Sequence, residues 1–270
     1  MVRGIDRFRD HFSDYESSYV LIGGVAAELW FAAQELTFRV TKDFDVVLIV
    51  EVLSAGFVRR IREFVDEGGY AIRERTNGTP MLYRFEKPSS EEHPSMLGLF
   101  ARATIDGSDP VPGDVAPVVV DRRPVSLSAI LMDDAYYRLV LENRETRNGI
   151  PIVTPACLAV LKARAWSDLR ARKAAGEQVD ERDLKKHRND VFKLILLMAA
   201  EERIEVPGSI AKEWGAFLDA FPANALEWAD VHRALDNTFG KSGVPRSIEA
   251  IRERTRGLVH LGGDRGAAGG

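Results

Sequence analysis

The stretch "LIGGVAAELWFAAQELTFRVTKDFDVVL", residues 21–48, contains the pattern that decides the fold. It begins in "YVLI", a short apolar run that predicts a buried strand, and then passes through two glycines. "GVAAELWFAAQE" follows, with apolar residues at helical spacing, and "DVVLIV" is a β-branched run typical of a strand covered on both faces. The stretch therefore predicts a strand, a diglycine bend, a helix and a second strand.

Two aspartates stand at the start of the second predicted strand. Asp43 and Asp45 point to the same face, because side chains alternate along a strand. Like charges held that close repel each other, and removing them from water costs several kcal/mol each unless something neutralises them. Either a cation lies between them or one of them has a shifted pKa. The alternative is an incidental cap or surface pair.

The diglycine bend and the aspartates together suggest a nucleotide site. Gly23 and Gly24 allow a phosphate to approach the backbone, and the helix N-terminus that follows offers unpaired N–H donors. Asp43 and Asp45 are suited to Mg²⁺ (or Mn²⁺), which prefers oxygen ligands and commonly keeps substrate phosphates in its shell. We therefore expect a nucleoside triphosphate (NTP) site with its metal at this bend.

The composition changes near residue 150. The first part alternates predicted helices and strands, whereas "PACLAVLKARAWSDLRARKAAG" and "DERDLKKHRNDVFKLILLMAAEE" are long amphipathic helices. We expect an α+β protein in which a mixed-sheet domain, residues 1–150, precedes a helical bundle domain, residues 151–258. Residues 259–270 are poor in apolar side chains and are expected to form a disordered tail.

The composition indicates the cellular compartment of the protein more clearly than its binding partners. The chain has 270 residues, 45% of them hydrophobic, and a net charge of −4, which gives little sign of a broad nucleic-acid footprint. The single cysteine, Cys157, excludes an internal disulfide and lies in an apolar helical stretch, as a buried residue would. We expect no signal peptide, no membrane span and a cytoplasmic location.

The motif around the bend resembles the hGG…T-x-D-h-D core of the polymerase-β-like nucleotidyltransferase superfamily. The wider chain is similar to the AbiEii/AbiGii toxin branch in "SLSAILMDDAYY", "LKARAWSDL" and "DLKKHRNDVFKL". The resemblance covers most of residues 18–200. It implies a nucleotidyltransferase-type sheet domain in which the glycines and the two aspartates bind the NTP and its metals. It also implies that Lys162 and Asp190 complete the catalytic site, with Lys162 contacting the nucleotide.

Read without the resemblance, Lys162 and Asp190 have two explanations each. Lys162 lies among apolar residues, where a buried ammonium needs an anionic partner such as a phosphate; a snorkelling lysine is the alternative. Asp190 precedes a strongly apolar run and is expected on an inner helix face, either in the site or in a structural salt bridge to an arginine.

Three residues flank the aspartates on their N-terminal side. Arg39, Thr41 and Lys42 could contact phosphates or RNA, and we assign Thr41 and Lys42 to nucleotide binding. Thr41 could equally cap the turn.

The third carboxylate of the superfamily has no clear counterpart. Members usually carry an acid on a neighbouring strand, and in "PSMLGLFARA" the corresponding residue is Gly98. Glu86 and Asp106 are the substitutes that the sequence offers, although no pattern puts either in register. Losing general-base help typically costs about 10²–10⁴-fold in rate while leaving metal and NTP binding intact.

The leading functional hypothesis is a Mg²⁺-dependent nucleotidyltransferase that moves a nucleoside monophosphate from an NTP to a hydroxyl. By resemblance the acceptor is RNA, with tRNA ends as the natural candidate, and the protein is the toxin of a toxin–antitoxin or abortive-infection system with an antitoxin partner. The basic clusters "RARK", residues 170–173, and "LKKHR", residues 184–188, could meet a phosphate backbone.

Three alternatives remain. One is an enzyme that modifies a small molecule, for which the "LKKHR" cluster would be dispensable. Another is an NTP-binding module with impaired catalysis that acts through a protein partner, for which Gly98 is the main argument. The last is an α+β protein of unrelated function.

Overall fold

The computed structural model describes residues 2–39, 41–74, 80–102, 115–120 and 123–262. Asp106 and the predicted loop around it lie outside these ranges. The described chain divides into two compact units, Met1–Leu29 with Arg39–Val153 and Trp30–Phe38 with Thr154–Gly270. The second unit thus begins close to the expected boundary at residue 150, and it also includes a short segment from the front of the chain.

The α+β class is confirmed, with a mixed sheet in the first unit and several helices that follow it in the chain. The helical elements of the first unit are α1 (Ile5–His11), a 3₁₀ turn (Ser13–Ser18), α2 (Gly23–Ala32, which continues into the second unit), a 3₁₀ turn (Val50–Val52), α3 (Ala55–Gly68) and α4 (Asp134–Glu142). Its strands are β1 (Tyr19–Ile22), β2 (Asp43–Leu48), β3 (Ala71–Glu74), β4 (Pro80–Glu86), β5 (Met96–Ala101), β6 (Val115–Val120), β7 (Arg123–Leu131), β8 (Arg144–Arg147) and β9 (Ile150–Val153).

Among the described residues these nine strands form one sheet. Seven of them follow the order β3-β4-β5-β2-β1-β9-β8, and β7 joins β5 while β6 joins β7. β2 runs antiparallel to β1 and parallel to β5, so it lies inside the sheet with a neighbour on each side. This interior position explains why most of its side chains are buried.

Local signals explain where the helices of the first unit begin and end. The Ser54 hydroxyl accepts a hydrogen bond from the Phe57 N–H at the start of α3, and Gly69, with φ at 58°, ends that helix. Asp133 caps α4 by accepting a hydrogen bond from the Ala135 N–H at 2.9 Å. The hairpin of β8 and β9 was not predicted. It turns at Asn148 and Gly149, which both have positive φ.

The second unit is mainly helical. Its elements are α5 (Pro155–Ala174), α6 (Glu181–Leu197), β10 (Ile204–Val206), α7 (Gly208–Asp219), α8 (Trp228–Phe239), α9 (Ile248–Leu258) and β11 (Val259–Leu261). Thr154 and Asp180 cap α5 and α6 through the Cys157 and Arg182 N–H groups.

Two predictions for the second unit need correction. Ile204–Val206 and Val259–Leu261 pair as a small parallel sheet, although no strand pattern was found in this part of the sequence. Residues 259–261, expected to begin a disordered tail, are therefore ordered by backbone hydrogen bonds to β10. Residues 263–270 lie outside the described ranges.

Candidate functional site

The diglycine bend joins β1 to α2 in a geometry that requires glycine. Gly23 has φ at 74°, in the left-handed region that other residues rarely adopt. A β-carbon on Gly23 would also overlap the carboxylate oxygen Oδ2 of Asp45. The bend and the second aspartate are therefore in direct contact.

The other glycine meets the segment that precedes the aspartates. A β-carbon on Gly24 would lie 2.5 Å from the Thr41 hydroxyl oxygen and 3.3 Å from the Arg39 Nη2. The start of α2 is thus covered by Asp45, Thr41 and Arg39, residues that the sequence predicted to be near a bound nucleotide. Because Gly24 has no side chain, Thr41 and Arg39 can lie this close to the start of α2.

The sheet register fixes the direction of the two aspartates. Asp45 pairs with Ile22 of β1 and with Gly98 of β5, and Asp43 pairs with Met96 of β5. Phe44, between them, is fully buried and points to the opposite face, with its ring centroid 5.3 Å from that of Phe8. The packing of Phe44 thereby directs both carboxylates to the face that carries the bend.

The two aspartates differ in exposure. Asp45 is half-buried against Gly23, whereas Asp43 is exposed at the first position of β2. In the part of the chain that the structure describes, Asp43 makes no hydrogen bond and no ion pair. Its carboxylate is available to a ligand that approaches from solvent.

Glu28, on α2, contacts Thr41 just before β2, and no sequence pattern indicated this contact. Its carboxylate accepts a hydrogen bond from the Thr41 backbone N–H, while its Oε2 is buried with no hydrogen-bond partner among the described residues. Burial raises the pKa of Glu28, and the Thr41 hydrogen bond and the Arg39 charge oppose that rise. The available signal was a lone acid in the otherwise apolar "GGVAAELWFA".

The Lys42 side chain is exposed, while its backbone carbonyl takes part in pairing at the N-terminal end of β2. The Ser95 N–H donates to the Lys42 carbonyl at 2.9 Å, immediately before β2 and β5 begin to pair. The predicted nucleotide-binding role of the Lys42 side chain stays a prediction.

Gly98, the residue that the sequence aligns with the expected third carboxylate, lies on the strand next to the two aspartates. It pairs directly with Asp45, and a β-carbon on it would lie 3.5 Å from Asp45 Oδ1, an ordinary contact distance. Glu86 pairs with Met96, the partner of Asp43, so it occupies the same row two strands away, and Arg84 Nε contacts its carboxylate at 3.0 Å. No cluster of three or more acidic, histidine or cysteine side chains suited to a metal ion occurs in the described ranges.

A cavity of about 370 Å³ opens beside Asp43. Arg3, Arg84 and Lys87 bring three positive charges to its wall, against the negative charges of Asp43 and Glu86. Arg3 is held in place by hydrogen bonds to the His93 and Ser90 carbonyls. These cations come from two separate parts of the sequence, Arg3 from the N-terminal segment and Arg84 and Lys87 from the end of β4, and no motif in it connected them to the aspartates.

Lys162 and Asp190 lie in the second unit, on α5 and α6. Both are buried, and Lys162 Nζ lies 3.8 Å from Asp190 Oδ2. The anionic partner that a buried lysine requires is therefore at least in part Asp190, and Asp190 has Lys162 as an ion-pair partner. Their roles in catalysis stay predictions.

Cys157 is fully buried on α5, and burial raises the pKa of its thiol well above the usual range. This environment agrees with a packing role. Within the described ranges, no helix has both the length and the apolar character needed to cross a membrane.

Comparisons of the chain with protein families, with curated proteins and with solved structures found no match.

Proposed function

We propose that this protein is a Mg²⁺-dependent nucleotidyltransferase that moves a nucleoside monophosphate from an NTP to a hydroxyl acceptor. The observation that carries the proposal is the contact between Gly23 and the Asp45 carboxylate, with Asp43 on the same face of β2. The start of a helix, whose first N–H groups have no partner within the helix, thus lies next to two carboxylates, which is the combination that a triphosphate with its metal needs.

The residues present suit a magnesium ion bound together with its substrate. Mg²⁺ is commonly held by one or two carboxylates plus substrate phosphates, so Asp43 and Asp45 are sufficient protein ligands. The exposure of Asp43 and its lack of a partner in the described chain support this assignment. When bound, the ion would supply charge neutralisation at the phosphates and at the departing pyrophosphate.

Each residue of the bend would have a separate task. The N–H groups at the start of α2 would donate to phosphate oxygens, and Gly23 and Gly24 would admit those oxygens to the backbone. Arg39, Thr41 and Lys42 would contact the phosphates from the adjoining segment. Glu28 would act through Thr41 as a positioning residue. The roles of Lys162 and Asp190 rest on the family resemblance.

The transfer itself is tested with labelled NTPs, Mg²⁺ and total RNA. We expect label on RNA from the wild type and at least about a hundredfold less from Asp43→Ala, because a metal ligand is lost. Asp66→Ala, which removes an exposed acid from α3, is the matched control and should transfer as the wild type does. No transfer by the wild type, or equal transfer by Asp43→Ala, would reject the proposal.

A second candidate is an NTP-binding module with impaired catalysis, acting through a protein partner such as an antitoxin. Gly98 favours it, because the residue paired with Asp45 has no side chain to accept a proton. Calorimetry that detects Mg²⁺·NTP binding without transfer to any acceptor would support this candidate.

Gly98→Asp separates the two candidates. An added β-carbon would lie at ordinary contact distance from its neighbours, 3.5 Å from Asp45 Oδ1, so the variant would carry its new acid beside the existing one. Under the impaired-module proposal it should gain transfer by about 10²-fold or more, since general-base help is worth that much. Gly98→Ala fills the same space without the acid and should gain nothing.

The acceptor is the remaining question. RNA, with tRNA ends as the candidate, follows from the resemblance and from the basic clusters of the second unit. A small-molecule acceptor is the alternative, and it predicts that charge reversal at Lys185 leaves the transfer rate unchanged.

A further inference from the structure

A second cavity, of about 640 Å³, lies within the helical unit, between α5, α6 and the segment that leads into α8. The two basic clusters of the sequence meet on its wall. Arg170 and Lys173 come from "RARK", and Lys185 and Arg188 come from "LKKHR". The two clusters lie about fourteen residues apart in the chain, and the packing of α5 on α6 brings their cations to one cavity.

Arg188 is the buried member of this group. Its side chain is 6% exposed, and its Nε donates to the Asn189 side-chain oxygen at 3.0 Å. Its Nη2 is buried and has no hydrogen-bond partner among the described residues. The nearest carboxylate, that of Asp230, is 3.9 Å away, which is beyond hydrogen-bond distance. A buried guanidinium donor without an acceptor is costly, so an acceptor from a ligand would be stabilising.

The carboxylates around the cavity leave a surplus of positive charge. Asp230 is shared by three cations: Lys185 at 3.5 Å, Arg188 at 3.9 Å and Arg233 at 3.2 Å. One negative charge therefore faces three positive ones.

The rest of the lining does not remove this surplus. Glu181 forms an ion pair with Lys173, and Glu227 also lines the cavity. Arg170 lies over the Trp166 ring, 5.2 Å from its centroid, and has no carboxylate partner in the described chain. Four cations and three acids line the space, and Arg233 adds a further positive charge beside Asp230.

We propose that this cavity binds a phosphate group, with Arg188 Nη2 as the buried donor and Arg170 and Lys185 at the entrance. A phosphate has several acceptor oxygens and matches donors that converge from different helices, as the guanidinium and ammonium groups do here. The volume is that of a site for a nucleotide-sized ligand rather than for a bare ion. The site belongs to the second unit alone and does not depend on the nucleotidyltransferase proposal.

Calorimetry without divalent ions tests this site apart from the first unit. The probes are adenosine monophosphate and a 5′-phosphorylated six-nucleotide RNA, both in EDTA so that no metal-dependent NTP binding contributes. We expect both probes to bind, and Arg188→Met to weaken binding by about tenfold or more, because a charge-assisted hydrogen bond is lost. Asp66→Asn, which changes an exposed acid of α3 in the first unit, should bind both probes as the wild type does.

The exposed residues keep the test decisive if Arg188→Met does not fold. Arg170→Gln and Lys185→Gln should each weaken binding about threefold and together about tenfold. Arg172→Gln is the matched control, because Arg172 is an exposed residue of α5 that pairs with Glu177 and does not line the cavity. Absence of binding, or binding that Arg170→Gln and Lys185→Gln leave unchanged, would overturn the proposal.

The two probes also distinguish the source of the phosphate. Tighter binding of the RNA, with a salt dependence that becomes shallower in Lys185→Gln, would identify a nucleic-acid backbone. Equal binding of the two probes would identify a free nucleotide. Either result supports a phosphate site.

Discussion

Gly23 has a positive φ, and its α-carbon lies against the Asp45 carboxylate, so backbone conformation and close packing act on the same residue. The glycine is needed to bring the start of α2 up to the aspartates. A larger residue would have to move Asp45 or the bend, and either movement would separate the groups that are proposed to hold a triphosphate.

Replacing Gly23 with alanine should lower both stability and nucleotide affinity. The left-handed φ costs about 1–2 kcal/mol in the free energy of unfolding, and the overlap with Asp45 adds to this. Urea denaturation and calorimetric NTP titration measure the two effects. Gly176→Ala is the control, because Gly176 also has a positive φ but nothing within 4 Å of its added β-carbon. Equal losses of stability in Gly23→Ala and Gly176→Ala, together with unchanged NTP affinity in Gly23→Ala, would contradict this prediction.

Asp43 should matter for binding and little for stability. Because it is exposed and makes no described ion pair, Asp43→Asn is expected to change the free energy of unfolding by no more than about 0.5 kcal/mol. The same change should weaken Mg²⁺-dependent NTP binding by about tenfold or more, since the amide is a poorer ligand for the ion. Calorimetry with and without EDTA measures this difference, and Asp66→Asn serves as the control.

At the scale of elements, the segment that precedes β2 is attached to α2 through Glu28. The Thr41 N–H donates to the Glu28 carboxylate, and Thr41 in turn covers Gly24. This contact fixes the segment that carries Arg39 and Lys42 relative to the bend. The contact between α2 and the segment that precedes β2, rather than any single residue, therefore sets the shape of the candidate site.

The raised pKa of Glu28 makes a prediction about pH. The folded state binds this proton more tightly than the unfolded chain, so the contribution to stability is present below the unfolded pKa and is lost as the pH rises through the folded pKa. Between about pH 4 and pH 7 the wild type should lose stability relative to Glu28→Gln, which keeps an acceptor for Thr41. Urea denaturation across this range measures the difference.

Glu91→Gln is the control for that series, because Glu91 is exposed and the described chain gives it no ion pair. Its pH profile should run parallel to that of the wild type. A parallel profile for Glu28→Gln as well would show that Glu28 does not take up a proton on folding.

The helices α5 and α6 are joined by the buried pair of Lys162 and Asp190. Removing one partner takes an opposite charge away from the other buried group, so Lys162→Met and Asp190→Leu should each cost about 3–5 kcal/mol in the free energy of unfolding. The double variant should cost less than the sum by at least about 1 kcal/mol. The same double-mutant cycle at the exposed pair of Arg172 and Glu177 is the control, and its coupling energy should be below about 1 kcal/mol. Additive losses at Lys162 and Asp190 would exclude a direct interaction.

At the scale of the whole molecule, sequence patterns were sufficient where structure is determined locally. β1, the diglycine bend and β2 follow from apolar runs and glycines, and α5 and α6 follow from long amphipathic patterns. The hairpin at Asn148 was not predicted, although Asn-Gly is a strong turn signal.

The parts of the site that were not predicted depend on distant residues. Arg3, Arg84 and Lys87 reach the cavity beside Asp43 only because β4 and β5 pair next to β2 and the N-terminal segment packs there. Gly98 could be aligned with the expected acid from its neighbours, but its direct pairing with Asp45 required the register of the parallel strands. Register between strands 50 residues apart is a property of the assembled sheet.

The diglycine bend and the two aspartates are proposed to hold a triphosphate with its metal. Anomalous difference density from crystals soaked with Mn²⁺ and a non-hydrolysable NTP analogue is the decisive test of this proposal. We predict a manganese peak between the carboxylates of Asp43 and Asp45, with phosphate density against Gly23 and Gly24. Metal and phosphate density elsewhere, with the bend and both carboxylates free of it, would contradict the proposal.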